Sequence, residues 1–321
     1  MGTVVHVPQT RDMKGEELSG DEAFSALRHY GGRKLLVDAF TRFRYADGFT
    51  SARSLAYQVV LGIVPFTIAL VGVTTTTHTE SLGQVIELTL AAIVPGTSAD
   101  LVQQALADTR RSAGADTAGA VAMWLGLAFA IVNLASTMGQ IERGCNRIYG
   151  IERDRPFLPK YGRGVLLALL AGLPLGAGFL VMVAGRHIGE AVVRALHWPS
   201  SLLDRWEFAH LPIGIVLAAF ASAVIFRWAP RRDQPGYTWL VFGSGIHLFL
   251  WVTATWLLSL YIGRSGSFGA VYGPLTAFVA LLLWANLAGI ALFLGMSFSA
   301  QLEAARAGIK NPVHPDPGPG P

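Results

Sequence analysis

Residues 270–298 read AVYGPLTAFVALLLWANLAGIALFLGMSF, twenty-nine positions without one Asp, Glu, Lys or Arg. A helix needs about 20 apolar residues to cross a bilayer. One charge at the bilayer centre costs about 2.5–3.5 kcal/mol on insertion scales, so a charge-free run of this length is the mark of a segment solvated by lipid. Five further stretches share it: 54–73, 118–139, 164–185, 211–226 and 238–262. Across all six the only histidine is His247, and no carboxylate appears.

The composition agrees. Charged residues are 14% of the 321 and the AVILMFWYC set is 52%, against roughly 25% charge in soluble domains. Too few charges are present to clothe a water-soluble surface. In hydrocarbon every backbone N–H and C=O must be paired inside the protein, and the runs lack the two-residue alternation of a membrane barrel. The expected fold is therefore all-α and polytopic. About six transmembrane helices lie in a domain over 51–305, behind an amphipathic arm over 1–50 and ahead of a disordered, proline-rich tail over 306–321.

Orientation follows from where the 25 Lys and Arg fall. Nineteen lie before the first span, in the second and fourth connections and in the tail; six lie on the other side. By the positive-inside rule both termini are expected in the cytoplasm of a plasma (inner) membrane protein. The net charge of +4 is then directed at anionic headgroups. No continuous basic face with interleaved aromatics is present, so nucleic acid is not an expected partner. The first fifty residues lack a short apolar core before a cleavage site, so the first span is expected to direct insertion. The lone Cys145 allows no intrachain disulfide.

The arm carries its own signals. Ser19 and Glu22 have capping-box spacing. Phe24, Leu27, Leu36, Phe40 and Phe43 recur at roughly helical spacing among Arg28, Arg33, Lys34, Arg42 and Arg44, and Gly31-Gly32 breaks the run. One or two amphipathic helices follow, either on the inner leaflet or packed on the protein's own loops. Within 74–117, the apolar run 82–94 ends at Pro95-Gly96 and a second short helix carries Leu101, Val102, Ala105 and Leu106. This reads as a re-entrant or interfacial hairpin.

Gly172/Gly176, Gly185/Gly189 and Gly269/Gly273 have the spacing that lets helices approach closely. Pro65, Pro174 and Pro274 are expected to kink their helices. Trp228, Tyr237 and Trp239 at one face, and Tyr261 and Tyr272 at the other, read as an aromatic belt. Polar residues inside or just beyond the spans form two candidate groups. Gln58, Pro65, Asn133, His247 and Asn286 are candidates for a lipid or substrate path. Gln140, Glu142, Arg143, Asn146, Arg147 and Glu303 are candidates for a headgroup site or an inter-helix polar cluster. If the second span continues as helix, Gln140, Arg143 and Arg147 share a face that could pair with Glu303 or hold a lipid phosphate. No catalytic, metal or cofactor site is expected: no Walker loop, hydrolase elbow or clustered metal-ligand spacing occurs. The absence of an intramembrane carboxylate argues against transport driven by an ion gradient.

Three stretches carry a resemblance. Residues 49–57, FTSARSLAY, with Pro65-Phe66; residues 144–149, GCNRIY, with Arg155-Pro156; and residues 267–272, SFGAVY, with Leu283-Trp284 and residues 294–301, LGMSFSAQ, together resemble the YihY/BrkB family over roughly 35–305. Tyr149 stands where that family commonly has Trp, and Gln58 where a second aromatic often follows Tyr57. The resemblance implies a six-helix inner-membrane protein. Members are linked to serum resistance, the YhjD branch to export of envelope lipids, and the family carries a ribonuclease BN label widely regarded as mistaken. The expected function is envelope-lipid translocation or homeostasis, with membrane lipids as partners and no enzymatic activity. The alternative is a non-transporting membrane scaffold or resistance factor that acts through partners, with ribonuclease activity disfavoured; a homo-oligomer or envelope proteins are the candidate protein partners.

Overall fold

The computed structural model describes residues 5–8, 19–76, 116–151, 154–196, 199, 201–264, 275–309 and 311–315. The expected hairpin over 82–106, Gly269, Tyr272, Gly273 and Pro274, and tail residues 316–321 lie outside them.

The described chain is helical. Helix α1 (Gly20–Tyr30) starts as its spacing requires, with the Ser19 hydroxyl accepting from the Glu22 N–H at 3.3 Å. Gly31, at φ +79°, ends it in a conformation that favours glycine, and α2 (Gly32–Tyr45) follows. Then come α3 (Gly48–Thr76), α4 (Asp116–Ile148), α5 (Phe157–Leu167), α6 (Leu173–Leu196), α7 (Ser201–Trp228), α8 (Tyr237–Arg264) and α9 (Thr276–Arg306). A two-residue strand at each end, β1 (Val5–His6) and β2 (His314–Pro315), pairs antiparallel and holds the two terminal segments together.

Five helices among the described residues are long and apolar enough to cross a membrane: Trp124–Ile148, Phe157–Met182, Ser201–Trp228, Tyr237–Ile262 and Phe278–Arg306. Helix α3, 29 residues long with Pro65 inside it, contains the first expected span. Helix ends overrun the charge-free stretches. The fourth expected span begins at 211, yet α7 begins at Ser201 and carries Asp204, Arg205 and Glu207. Hydropathy marks where lipid is the solvent, while the backbone ladder continues into the polar region beyond.

The helices pack as antiparallel hairpins, α3 with α4, α6 with α7 and α8 with α9. Helix α9 also lies against α2 and α3, α7 against α8, and α5 against α4. Between α5 and α6 the residues Ala168–Gly172 form a π turn, in which the Leu173 N–H bonds to the Ala168 carbonyl. Pro174 follows at once. It lacks the N–H that a regular helix would direct at the fourth preceding carbonyl, and a wider turn beside it absorbs the misfit.

The closest backbone seams are at glycines outside the expected spacing motifs, while Gly185 and Gly189 of one expected motif do let α7 approach closely: a Cβ on either would overlap the side chain of His210 or Trp206. A Cβ on Gly178 would lie 2.9 Å from the Gly214 carbonyl oxygen, and one on Gly295 2.6 Å from that of Gly243 and 3.0 Å from the His247 nitrogen. These obstacles are backbone and cannot rotate aside. Gly172 meets only the flexible end of Met138, and Gly176 faces open space. Gly295→Leu is therefore expected to force α8 and α9 apart and cost at least about 1–3 kcal/mol. Gly176→Leu should leave the thermal unfolding midpoint of the detergent-solubilised protein within a degree or two. Equal midpoints for the two variants would remove the argument.

One expected belt residue is not at the belt. Trp228 and Tyr237 are exposed, but Trp239 is fully buried. It sits three residues inside α8, where α1 packs against it: a Cβ on Gly20 of α1 would touch the carbonyl of the neighbouring Thr238. The arm takes a place that hydropathy assigns to lipid.

Candidate functional site

Helices α4, α7 and α9 all end at the face of the bundle that carries the termini. Each end presents carbonyls without helical N–H partners, at the negative end of the helix dipole. Arginines answer them. Arg42 of α2 donates from Nε to the Ile148 carbonyl at 2.7 Å and from Nη2 to the Pro8 carbonyl at 2.7 Å, and from Nη1 to Gln301 Oε1 of α9 at 3.3 Å. Arg155 donates to the Ala229 and Pro230 carbonyls at 3.1 and 2.9 Å, and Arg163 to the Trp228 carbonyl at 3.2 Å. Arg227 donates to the carbonyls of Gln234 and Pro235. Much of the basic charge that sequence patterning directs at lipid headgroups is spent inside the protein.

Beneath these caps lies a buried network of ion pairs. Glu142 meets Arg155 at 3.0 Å. Glu303 meets Arg232 at 2.6 Å, with both side chains almost wholly buried, and the Arg232 guanidinium lies 4.7 Å from the centre of the Tyr149 ring. Arg42 is fully buried, and burial pulls its guanidinium down to about 10, with Tyr149 and Glu303 supporting the charge and Arg232 opposing it. It remains a cation at neutral pH.

A second, partly exposed knot centres on Asp154. Its carboxylate accepts from Lys160 at 2.7 Å and Asn146 at 3.1 Å, and lies 3.4 Å from Arg143. Burial works to raise this carboxyl; the hydrogen bonds from Lys160 and Asn146 and the nearby charges outweigh it and hold it below the ordinary range. Asn146, buried, also accepts from the Arg231 N–H at 2.8 Å, tying the α4–α5 and α7–α8 connections together.

Helix α4 does continue past the lipid region, and the six residues of the expected polar cluster all lie at this end. They divide among different partners. Glu303 pairs with Arg232, Arg143 with Asp154, and Arg147 with Asp47 at 2.9 Å on the surface. Glu142 and Asn146 are interior, and Gln140 is half-buried. Sequence reasoning omitted Arg42, Arg155, Asp154 and Arg232 from this set. They sit in loops and in the arm, and nothing local distinguishes them from the charged residues that stay in solvent. A hint lies in the prolines that frame 229–236, which hold those carbonyls in place.

The five expected path residues separate among three helix contacts. His247 is buried on α8, with Nδ1 3.0 Å from the Ser222 hydroxyl of α7. That hydroxyl also lies 2.7 Å from the Ala218 carbonyl, which can only accept; with its one proton there, His247 Nδ1 is the donor. Asn133 of α4 faces Gly62 of α3, one turn beyond Gln58 and just short of Pro65, and its carbonyl accepts from Thr137 at 2.8 Å. Asn286 lies on α9 one turn from Gly289, which crosses Ala52 of α3.

The arm has two faces. Leu35, Ala39, Arg42 and Phe43 are buried against the bundle, while Leu36, Val37 and Phe40 are about half exposed, beside exposed Arg33, Lys34 and Arg44. Helix α2 packs on the protein, one of the two expectations for the arm, and keeps an apolar, basic face outward. Phe157 and Leu158, which open α5, are also strongly exposed.

Comparison with known proteins places this arrangement. A family profile described as Virulence factor BrkB matches residues 39–317. The chain is similar to "Putative ribonuclease-like protein YfkH" of Bacillus subtilis, 23% identical over 87% of this chain and 99% of that one. It is similar to a "UPF0761 membrane protein" of Chromohalobacter salexigens, 25% identical over 84% of this chain and 63% of that one. It is also similar to one of Xanthomonas oryzae pv. oryzae, 27% identical over 84% of this chain and 61% of that one. The chain thus spans about three-fifths of the length of the two UPF0761 relatives. No solved structure matches it.

Proposed function

The chain belongs to the Virulence factor BrkB family, and from that premise we propose that it handles anionic amphiphiles at the plasma (inner) membrane, moving or positioning envelope lipids between leaflets with both termini in the cytoplasm. The observation that carries the reading is the arm. Helix α2 holds exposed Leu36, Val37 and Phe40 beside Arg33, Lys34 and Arg44, which suits an element lying at headgroup depth. Its opposite face is fastened through Arg42 to the ends of α4 and α9. Headgroup contact at the arm is thereby joined to the helices of the bundle. The exposed cations available for such contact are fewer than the sequence total suggests, and they cluster there.

Proteoliposomes containing a fluorescent phosphatidylglycerol provide the test. The wild-type protein is expected to speed exposure of the inner-leaflet probe to a membrane-impermeant quencher. Reversing Arg33, Lys34 and Arg44 to Glu removes three cations worth about 1 kcal/mol each at an anionic surface. Headgroup occupancy at the arm should then fall by roughly a hundredfold, and the rate should fall with it, while a zwitterionic probe is spared. No acceleration by the wild-type protein in either direction would end the translocation reading.

The name of the Bacillus relative mentions ribonuclease-like character and belongs to that protein. For this chain we favour a non-enzymatic role. Glu142, Asp154 and Glu303 are each committed to a cation at this end of the bundle, which leaves these carboxylates poorly placed for acid–base work on a substrate.

A further inference from the structure

Helices α6 and α7 run beyond their charge-free stretches, 164–185 and 211–226, at the end opposite the termini. The charge-free stretch ends at Gly185, and α6 continues to Leu196, eleven residues or about 16 Å of helix. Arg186, Glu190, Asp204, Arg205 and Glu207 stud this extension, and Arg186 pairs with Glu190 at 3.4 Å and with Glu207 at 3.8 Å. Charges at this density place it outside hydrocarbon. It nevertheless forms a half-open apolar cavity of about 310 Å³, lined by Ile188, Val192, Val193, Leu202 and Trp206 together with Arg205. The indole of Trp206 is fixed there by a 2.5 Å hydrogen bond to the Gly185 carbonyl. The volume is at the lower end of ligand sites.

We propose that this cavity binds the acyl chain of an anionic amphiphile that has been drawn partly out of the bilayer. Within hydrocarbon an apolar hollow would select nothing, since lipid tails surround it. In the polar zone its walls would stand against water at about 25 cal/mol per Å² of apolar surface, and an acyl chain is the apolar group that the adjoining membrane supplies. Charge selects among amphiphiles: Arg205 is exposed and makes no ion pair among the described residues, unlike Arg186. An acidic headgroup over Arg205 with its tail between α6 and α7 satisfies both features. This inference rests on the amphiphile reading above and adds a site to it.

The test uses full-length protein in nanodiscs of phosphatidylcholine with a fatty acid carrying a mid-chain photoreactive group. Crosslinks are expected to concentrate in peptides covering 188–209. Val192→Trp should lower that labelling about tenfold, the equivalent of roughly two buried methylenes, and the milder Val193→Phe should lower it in the same direction. Unchanged elution and unfolding midpoint certify each fold. Arg205→Glu should weaken labelling by the acid and leave its neutral alcohol analogue untouched. Labelling spread evenly along lipid-facing helices, or unmoved by both filling variants, overturns the site. So does labelling that appears only after residues 82–94 are replaced by a Gly-Ser linker, since the chain's own apolar run would then be the occupant. Pocket labelling without lipid flipping keeps the site and removes translocation; flipping without pocket labelling does the reverse.

Discussion

Arg42→Ala is expected to release the N-terminal arm and to cost about 3–5 kcal/mol, the range for removing one member of a buried charged contact. Three partners lose their donor at once: the last carbonyl of α4 at Ile148, the Pro8 carbonyl beside β1, and the amide of Gln301 on α9. The two carbonyls are left with lone pairs and no water, and hydrogen bonds to a charged donor are worth about 1.5–3 kcal/mol each. Arg42→Lys should lie between wild type and alanine, because a single ammonium cannot span three acceptors from one buried position. Gln301→Ala, which removes only the longest of the three bonds, should cost about 1.5 kcal/mol or less. Limited trypsin digestion gives the local readout. Arg33 and Lys34 should become cleaved early in Arg42→Ala, while the helices of the bundle resist. An arm as resistant in Arg42→Ala as in the wild type would mean that Leu35, Ala39 and Phe43 dock it unaided.

The same residue shows how far the sequence carries. The spans are legible because lipid penalises charge heavily and uniformly, so a purely local reading of 270–298 or 238–262 locates helices that the fold then extends. The Ser19–Glu22 cap is legible because its chemistry is complete within four residues. Arg42 and Trp239 defeat the same method. Sequence treats Arg42 as one more basic residue of a positively charged face and Trp239 as one more interfacial aromatic; both are buried because α1 and α2 fold back onto α8 and α9, a contact between segments about two hundred residues or more apart. The Gly178–Gly214 and Gly243–Gly295 seams are hidden for a related reason. A close backbone crossing depends on what the facing helix brings to the same depth, a glycine at these two seams and Ala135 or Ala52 opposite Gly164 and Gly289, and a spacing motif within one helix says nothing about its partner.

The candidate site divides along that line. The expected polar cluster is at one end of the bundle because polar residues at span ends must leave the hydrocarbon, and that is a local constraint. Which acid meets which base is a matter of packing. The pairing of Glu303 with Arg232, a residue of the α7–α8 connection, depends on how that connection folds under Pro230 and Pro235. Arginines that appear interchangeable in a count of charges therefore do different things: Arg155 and Arg163 cap α7, Arg232 balances a buried acid, and Arg33 and Arg44 remain outward.

Glu303 is expected to matter more than the arginine it pairs with. Its carboxylate meets Arg232 at 2.6 Å and also supports the charge on Arg42, while Arg232 and Arg42 oppose each other. Glu303→Gln therefore leaves two mutually repelling buried cations and should cost about 3–5 kcal/mol. Arg232→Gln leaves Glu303 still facing Arg42, so its cost should be smaller by 1 kcal/mol or more, roughly a fivefold difference in the unfolding equilibrium. The two losses should not add. Arg232→Met combined with Glu303→Leu exchanges an ion pair for apolar volume, a change that is often neutral when both members go together, but here it leaves Arg42 without its supporting acid. The double variant should recover only part of the stability lost in Glu303→Gln, and adding Arg42→Met should recover more. Unfolding midpoints of these four proteins and of the Glu303→Gln/Arg232→Gln double variant in one detergent decide it. Equal losses for Glu303→Gln and Arg232→Gln, adding within about 0.5 kcal/mol, would show two independent groups and would detach the arm from the acid at the end of α9.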